Sequence, residues 1–174
     1  MAANWTTFVS GAVLTAAQLN GVVDNFADIA IFNETQASNT AGGGSTGSAY
    51  TKRTLNTTVL NNISGCSIAS SVITLATAGT YYMRATTPTY QSGYTKTLIY
   101  NTTDSTNTAI GQNADASNTV GCSSTAEGFI TITASKNFEV KTWTQISKAT
   151  NGFGAAVVSG ISEIYSQLYI ARIA

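Results

Sequence analysis

From Tyr50 onward, apolar and polar residues alternate in short runs broken by clusters of Gly, Asn, Asp and Ser. In Phe129-Ile-Thr-Ile-Thr133 and Phe138-Glu-Val-Lys-Thr142 the alternation has a period of two, the spacing of a strand with one buried face. The same reading predicts strands at Thr51–Leu60, Ser67–Leu75, Gly79–Thr87, Thr95–Asn101, Thr106–Gln112, Ala126–Thr133, Asn137–Gln145 and Glu163–Ile173. The last of these is longer and more apolar, as suits a central strand. Eight strands without an intervening helical pattern predict a mostly β, two-sheet jelly roll.

The first 33 residues follow a different period. Thr15-Ala-Ala-Gln18 has the form of a capping box, in which the Thr15 hydroxyl accepts from the backbone near Gln18 while Gln18 reaches back. Leu19, Val22, Val23, Phe26, Ile29 and Ala30 then line one helical face. The pattern predicts a short amphipathic helix, preceded by an extended arm carrying Trp5, Phe8 and Val13. A helix of about four turns is marginal alone in water, so its stripe needs a partner: its own β domain, copies of itself or another protein. Residues 34–49, ETQASNTAGGGSTGSA, show no periodicity and no large apolar residue. They predict a flexible linker. The expected organisation is an attachment segment over 1–33, a linker over 34–49 and a head over 50–174.

Composition narrows the function. Only 9% of the 174 residues are charged, eight basic against eight acidic, and the chain has no histidine. Catalysis by a Ser-His-Asp or Cys-His site, or at a His-ligated metal, is excluded. A net charge of zero argues against nucleic acid as a partner. No run approaches the roughly 18 apolar residues of a membrane span, and no basic segment precedes an apolar stretch at the start, so neither membrane insertion nor secretion is expected. The Gly-rich run lacks the GK[ST] and strand-to-helix context of a phosphate loop. The acids are scattered, with no DxD and no local pair, so no metal site, no cofactor and no enzymatic activity are expected. Cys66 and Cys122 are too few and too far apart for a disulfide framework and read as small buried thiols, a single bridge being the alternative.

Charge has been replaced by Thr, Ser and Asn, roughly a third of the chain. With 43% hydrophobic residues beside them, the chain can still bury a core. Such a surface limits unspecific electrostatic adhesion and tolerates changes in salt.

Two stretches resemble known proteins. Asn4-Trp5-Thr6 with Val13-Leu14-Thr15-Ala16-Ala17-Gln18-Leu19-Asn20 resembles a leader common on bacteriophage virion proteins, especially fibres and their adaptors. Tyr50-Thr-Lys-Arg-Thr-Leu-Asn56, Asn62-Ile-Ser-Gly65, Ala78-Gly-Thr-Tyr-Tyr-Met83, Leu98-Ile-Tyr-Asn101, Thr103-Asp-Ser-Thr106, Gly152-Phe-Gly154 and a closing Glu163-Ile-Tyr165…Leu168-Tyr-Ile170 resemble, in order, the jelly-roll head of the complement globular-head and tumour-necrosis-factor superfamily in its phage-borne version. Cys66 departs from the small inert residue expected there. The resemblance implies a homotrimer with three heads around a threefold axis.

The aromatic count makes self-association plausible on physical grounds as well. Alternation places Tyr81 and Tyr82 on opposite faces and Tyr165 and Tyr169 on one face, so one of each set can fill the sandwich while another meets a neighbour. Tyr81, Phe153, Tyr165 and Tyr169 are the expected trimer contacts. Trp5, Leu19, Val22, Val23, Phe26 and Ile29 are the expected anchor to other virion proteins of capsid, tail or baseplate. Tyr90, Tyr94 and Trp143 are candidate contacts to a glycan or protein on the host surface, where three copies would give avidity. The expected function is a short homotrimeric virion fibre for host attachment. The alternative is a capsid decoration protein with no receptor.

Overall fold

The computed structural model describes Thr15, residues 28–117 and residues 120–173. Within them, ten of the eleven strands form two five-stranded antiparallel sheets. The first sheet has the order β3-β1-β11-β6-β9, built from Thr57–Asn61, Ile29–Gln36, Glu163–Arg172, Gly79–Tyr90 and Gly121–Ile132. The second has the order β4-β5-β10-β7-β8, built from Cys66–Ala69, Val72–Leu75, Lys136–Thr144, Gly93–Asn101 and Thr106–Ala116. The remaining strand, β2 (Ala49–Lys52), runs beside β10. Two antiparallel sheets face to face, as the alternation predicts, enclose one core. Phe32, Ile73, Leu75, Tyr81, Met83, Ile99, Phe138, Leu168 and Ile170 are its fully or almost fully buried apolar members.

The start of the fold differs from the sequence reading. Ile29 and Ala30, expected at the end of a helix and Ile29 as an anchor residue, open β1 instead. The run Ile-Ala-Ile-Phe is β-branched and aromatic, and as a strand it buries Ala30 and Phe32 completely between β3 and β11. The rest of the expected helix, and Trp5, Leu19, Val22, Val23 and Phe26, lie outside the described residues. A boundary between Asn33 and Glu34 would fall inside β1, so residues 29–33 belong to the first sheet.

Residues 34–49 are no free linker either. Their backbone is laced to the loop between β10 and β11. Gly42 N–H donates to Gly154 O at 3.0 Å, Phe153 N–H to Gly43 O at 3.0 Å, Ser45 N–H to Lys148 O at 2.8 Å and Ser48 N–H to Thr144 O at 2.7 Å. Gly42 is required by proximity: a Cβ there would stand 2.5 Å from Phe153 O and 2.8 Å from the Tyr165 ring. The glycine run that reads as flexibility is a close-packed strap.

A buried ion pair fastens this region. Arg53, 1% exposed, donates from Nη2 to Glu34 Oε2 at 2.6 Å and from Nε to the same oxygen at 2.9 Å. Its Nη2 also donates to Phe153 O at 3.1 Å, and the guanidinium lies 4.1 Å from the centre of the Phe153 ring. Burial lowers the Arg53 pKa and Glu34 works against that shift. Arg53 N–H donates to Val140 O, so the same residue seats β2 against β10. The predicted strand Thr51–Leu60 is broken at this point into β2 and β3, because Arg53 turns inward to meet Glu34.

The predicted strand Ser67–Leu75 is likewise two strands, β4 and β5, joined by Ser70-Ser71. Both serines have positive φ, 49° and 61°, the geometry of a hairpin turn that usually carries Asn-Gly. Lys52 Nζ donates to Ser70 O at 3.1 Å and Ser71 Oγ to Leu55 O at 3.2 Å, which holds the turn. Both cysteines are free: Cys66 is buried, and burial pushes its thiol up to about 11.

Candidate functional site

Strands β2, β7, β8 and β10 build a groove of about 590 Å³ on the outer face of the second sheet, lined by Tyr50, Tyr94, Thr95, Lys96, Asn113 and Trp143. The register explains the grouping. Trp143 pairs with Lys96, and Lys96 with Asn113, so the three side chains stand in one row across β10, β7 and β8. Tyr94, two residues before Lys96 on β7, shares its face. Tyr50 comes from β2, seated beside β10 by Arg53 and by the Ser48 N–H to Thr144 O bond. Tyr50 and Tyr94 are 45% and 58% exposed, and Trp143 is half-buried.

The floor under the groove is held by hydroxyls. Thr95 Oγ1 donates to Trp143 O at 2.9 Å, fixing β7 to β10, and Gln145 Oε1 accepts from Tyr94 N–H at 3.2 Å. Deeper in, Thr142 Oγ1 donates to Thr87 Oγ1 at 2.9 Å, Thr87 and Thr97 hydroxyls meet at 2.7 Å, and Thr97 Oγ1 donates to Ser124 O at 2.8 Å. A carbonyl can only accept, so the single proton of Thr97 is committed and Thr87 must donate to it. Ser124 Oγ closes the set by accepting Thr97 N–H at 2.9 Å, at the irregularity in β7–β8 pairing, and donating to Gln112 O at 2.7 Å. These residues are at most 2% exposed. Behind the groove the sandwich is therefore threaded by a chain of hydrogen-bonded hydroxyls, Thr142, Thr87, Thr97 and Ser124.

The groove lies at one end of the sandwich. It sits where β10 ends and β7 begins, next to the strap and to the turn after Tyr90. The chain enters at the opposite end. Arg172 N–H donates to Asp28 O, and Asn62 N–H to Ile29 O, at the far end of β1, a strand whose eight residues span about 23 Å at roughly 3.3 Å per step.

Of the candidate receptor contacts, Tyr94 and Trp143 are brought together here, and Tyr90 is not. Tyr90 ends β6 on the other sheet, in a shallower depression of about 350 Å³ with Pro88, Cys122, Val157, Glu163 and Ile164. Tyr50, Lys96 and Asn113 were not expected at the site. Tyr94-Thr-Lys96 shows the period that puts residues 94 and 96 on one face, but cross-strand register and the path of β2 leave no local signal.

The expected trimer contacts also need correction. Tyr81 is fully buried in its own core and donates to Thr77 O at 2.7 Å. Phe153, 5% exposed, lies under Arg53, and Tyr165, 8% exposed, donates to Thr40 O at 2.8 Å beneath the strap. None of the three offers a surface to a neighbour. Tyr169 does face outward. It joins Tyr82 and Phe129, with ring centroids of 6.3 Å from Tyr82 to Tyr169 and 5.2 Å from Tyr82 to Phe129. Register sets Ile29, Ala171, Tyr82 and Phe129 in one row and Ile31, Tyr169, Arg84 and Glu127 in the next, across the outer face of the first sheet. Phe129 is 68% exposed. Alternation separates Tyr81 from Tyr82 as expected, but the outward member is Tyr82.

Among the described residues no group of three or more His, Cys, Asp or Glu is placed to hold a metal ion, and no helix is long and apolar enough to cross a membrane.

No family model and no curated protein matches the chain by sequence. Solved structures do match by shape. The globular domain of zebrafish complement 1qA is 12% identical, with a TM-score of 0.53 over 84% of this chain and 95% of that one. Murine APRIL is 9% identical, with a TM-score of 0.56 over 82% and 97%. The vertex protein P5 of PRD1 is 18% identical, with a TM-score of 0.50 over 85% and 98%. At these identities the likeness establishes the fold: a two-sheet jelly roll of the complement-head and tumour-necrosis-factor type.

Proposed function

We propose that this chain is a non-enzymatic structural protein of a phage particle, a short homotrimeric fibre anchored through its N-terminal segment and presenting its heads for attachment to the host surface. The observation that carries the reading is polar placement. The chain enters the head at one end, beside Arg172, and the aromatic groove opens at the other. Anchored through Trp5, Leu19, Val22, Val23 and Phe26, the head would turn that groove away from the particle. Self-association is supported by the outer face of the first sheet. Half-buried Ile31, Tyr82 and Tyr169 surround Phe129, which a lone chain leaves 68% exposed beside the Arg84–Glu127 pair.

Purified full-length protein should compete with phage particles for host cells, and Trp143→Ala or Tyr94→Ala should lose that competition while keeping the fold. Incorporation of Phe26→Asp into particles at the normal level would overturn the anchor. A second reading, a decoration protein of the shell, draws on the likeness to a protein named for a vertex. It holds if cryo-electron microscopy places the protein on the shell and the purified protein does not slow adsorption.

A further inference from the structure

We infer that the groove takes an acidic pyranose, a sugar ring bearing a carboxylate, from a host-surface glycan, an assignment that rests on the attachment reading above. The first ground is the shape of the lining. Tyr50, Tyr94 and Trp143 offer flat apolar faces, two of them largely exposed, and the amide of Asn113 stands beside them. A sugar ring has the matching division, with C–H groups for aromatic faces and hydroxyls for an amide.

The second ground is charge. The head holds all eight cationic side chains, and six of them form ion pairs with carboxylates. Lys148 donates to Gln91 Oε1 at 3.0 Å. Only Lys96 has neither an ion pair nor a side-chain hydrogen bond among the described residues, and Lys96 lies in the middle of the groove row between Trp143 and Asn113. Among the described residues no carboxylate lines the groove. Asp115, two residues beyond Asn113 on β8, is turned to Ser117, accepting its N–H at 2.8 Å and its hydroxyl. In a chain this sparing of charge, a lone ammonium flanked by aromatic rings complements one anionic group on an otherwise neutral, amphipathic ligand. A single lysine suits a carboxylate on the ring better than a polyanion, which would call for a field of basic side chains.

The test uses the full-length protein with methyl β-glucuronide and methyl β-glucoside as probes, which differ at one carboxylate. Binding is followed by the assigned indole N–H resonance of Trp143. The glucuronide should bind at least tenfold more tightly than the glucoside at low salt, and the preference should fall as salt rises. Lys96→Gln should abolish the preference while leaving the weak binding of the glucoside, and Tyr94→Ala, followed by the same Trp143 resonance, should weaken both at least tenfold. Equal affinity for the two probes, or a preference that survives Lys96→Gln, overturns the acidic-sugar assignment and leaves attachment standing. No response of Trp143 to either probe also overturns it, and whether the protein attaches to cells is then decided separately by adsorption competition.

Discussion

Individual side chains in this head are committed in ways that composition conceals. Arg53 and Glu34 are both nearly inaccessible and face each other at 2.6 Å. Removing one partner strands a buried charge, so Arg53→Met should cost about 3–5 kcal/mol, whereas Arg53→Met with Glu34→Leu should recover most of it. Urea unfolding of the two variants beside the parent checks both values. The threonine chain behaves similarly with smaller stakes. Thr87 is its middle member, accepting from Thr142 and donating to Thr97. Thr87→Val keeps the shape but leaves Thr142 without its acceptor, and about 1–3 kcal/mol should be lost in the same assay. A sequence with so many threonines reads as a polar surface. Thr87, Thr97, Thr142 and Thr144 are each fully buried, and the residue type alone does not say so.

At the scale of elements, strands with a clean period of two were legible and irregular joins were not. Phe129–Ile132 and Phe138–Thr142 fall inside β9 and β10 because one face of each is buried and the other wet. β1 was missed because its apolar residues continue, without a break, the helical spacing that begins at Leu19. Two neighbouring strands overrule that local preference. The Ser70-Ser71 turn was missed because serine at positive φ is an uncommon choice, secured here by Lys52 and Ser71 contacts distant in sequence. The strap was misread because glycine signals both freedom and tight approach, and only the partner at Phe153 and Tyr165 decides between them.

The loop before β11 illustrates control of an element by one carboxylate. Glu163 accepts from the backbone N–H groups of Val157, Val158 and Asn39, and the Val157 bond contributes most to holding its pKa below the usual glutamate value. A depressed folded pKa gives a stabilisation that is complete above the ordinary glutamate range and fades as pH falls through the folded value. Amide exchange at Val157 and Val158, corrected for its intrinsic pH dependence, should therefore speed up on acidification below about pH 4. Glu163→Gln should show fast exchange already at neutral pH, with little further change.

For the whole molecule, the two sheets divide the work. The first turns Tyr82, Tyr169 and Phe129 outward, and the second carries the groove. If the first face joins three copies, Phe129→Asp should yield a folded monomer by sedimentation analysis where the parent is a trimer. A parent that sediments as a monomer would remove the trimer from the proposal. Tyr169, Tyr94 and Trp143 were visible as candidates in the sequence, whereas Phe129 and Tyr50 were not. Tyr81 and Tyr82 differ only in which side of β6 they occupy, and Tyr94 and Tyr90 only in which sheet they reach.

The opposed ends of the head also have a mechanical consequence. A load applied between the entry at Asp28 and a ligand in the groove runs along the length of β1. That strand is hydrogen-bonded on both sides, to β3 and to β11, by bonds that cross it sideways. Such a load shears all of those bonds together instead of unzipping them one by one. A head tethered in this way resists tension in the direction in which a tether pulls.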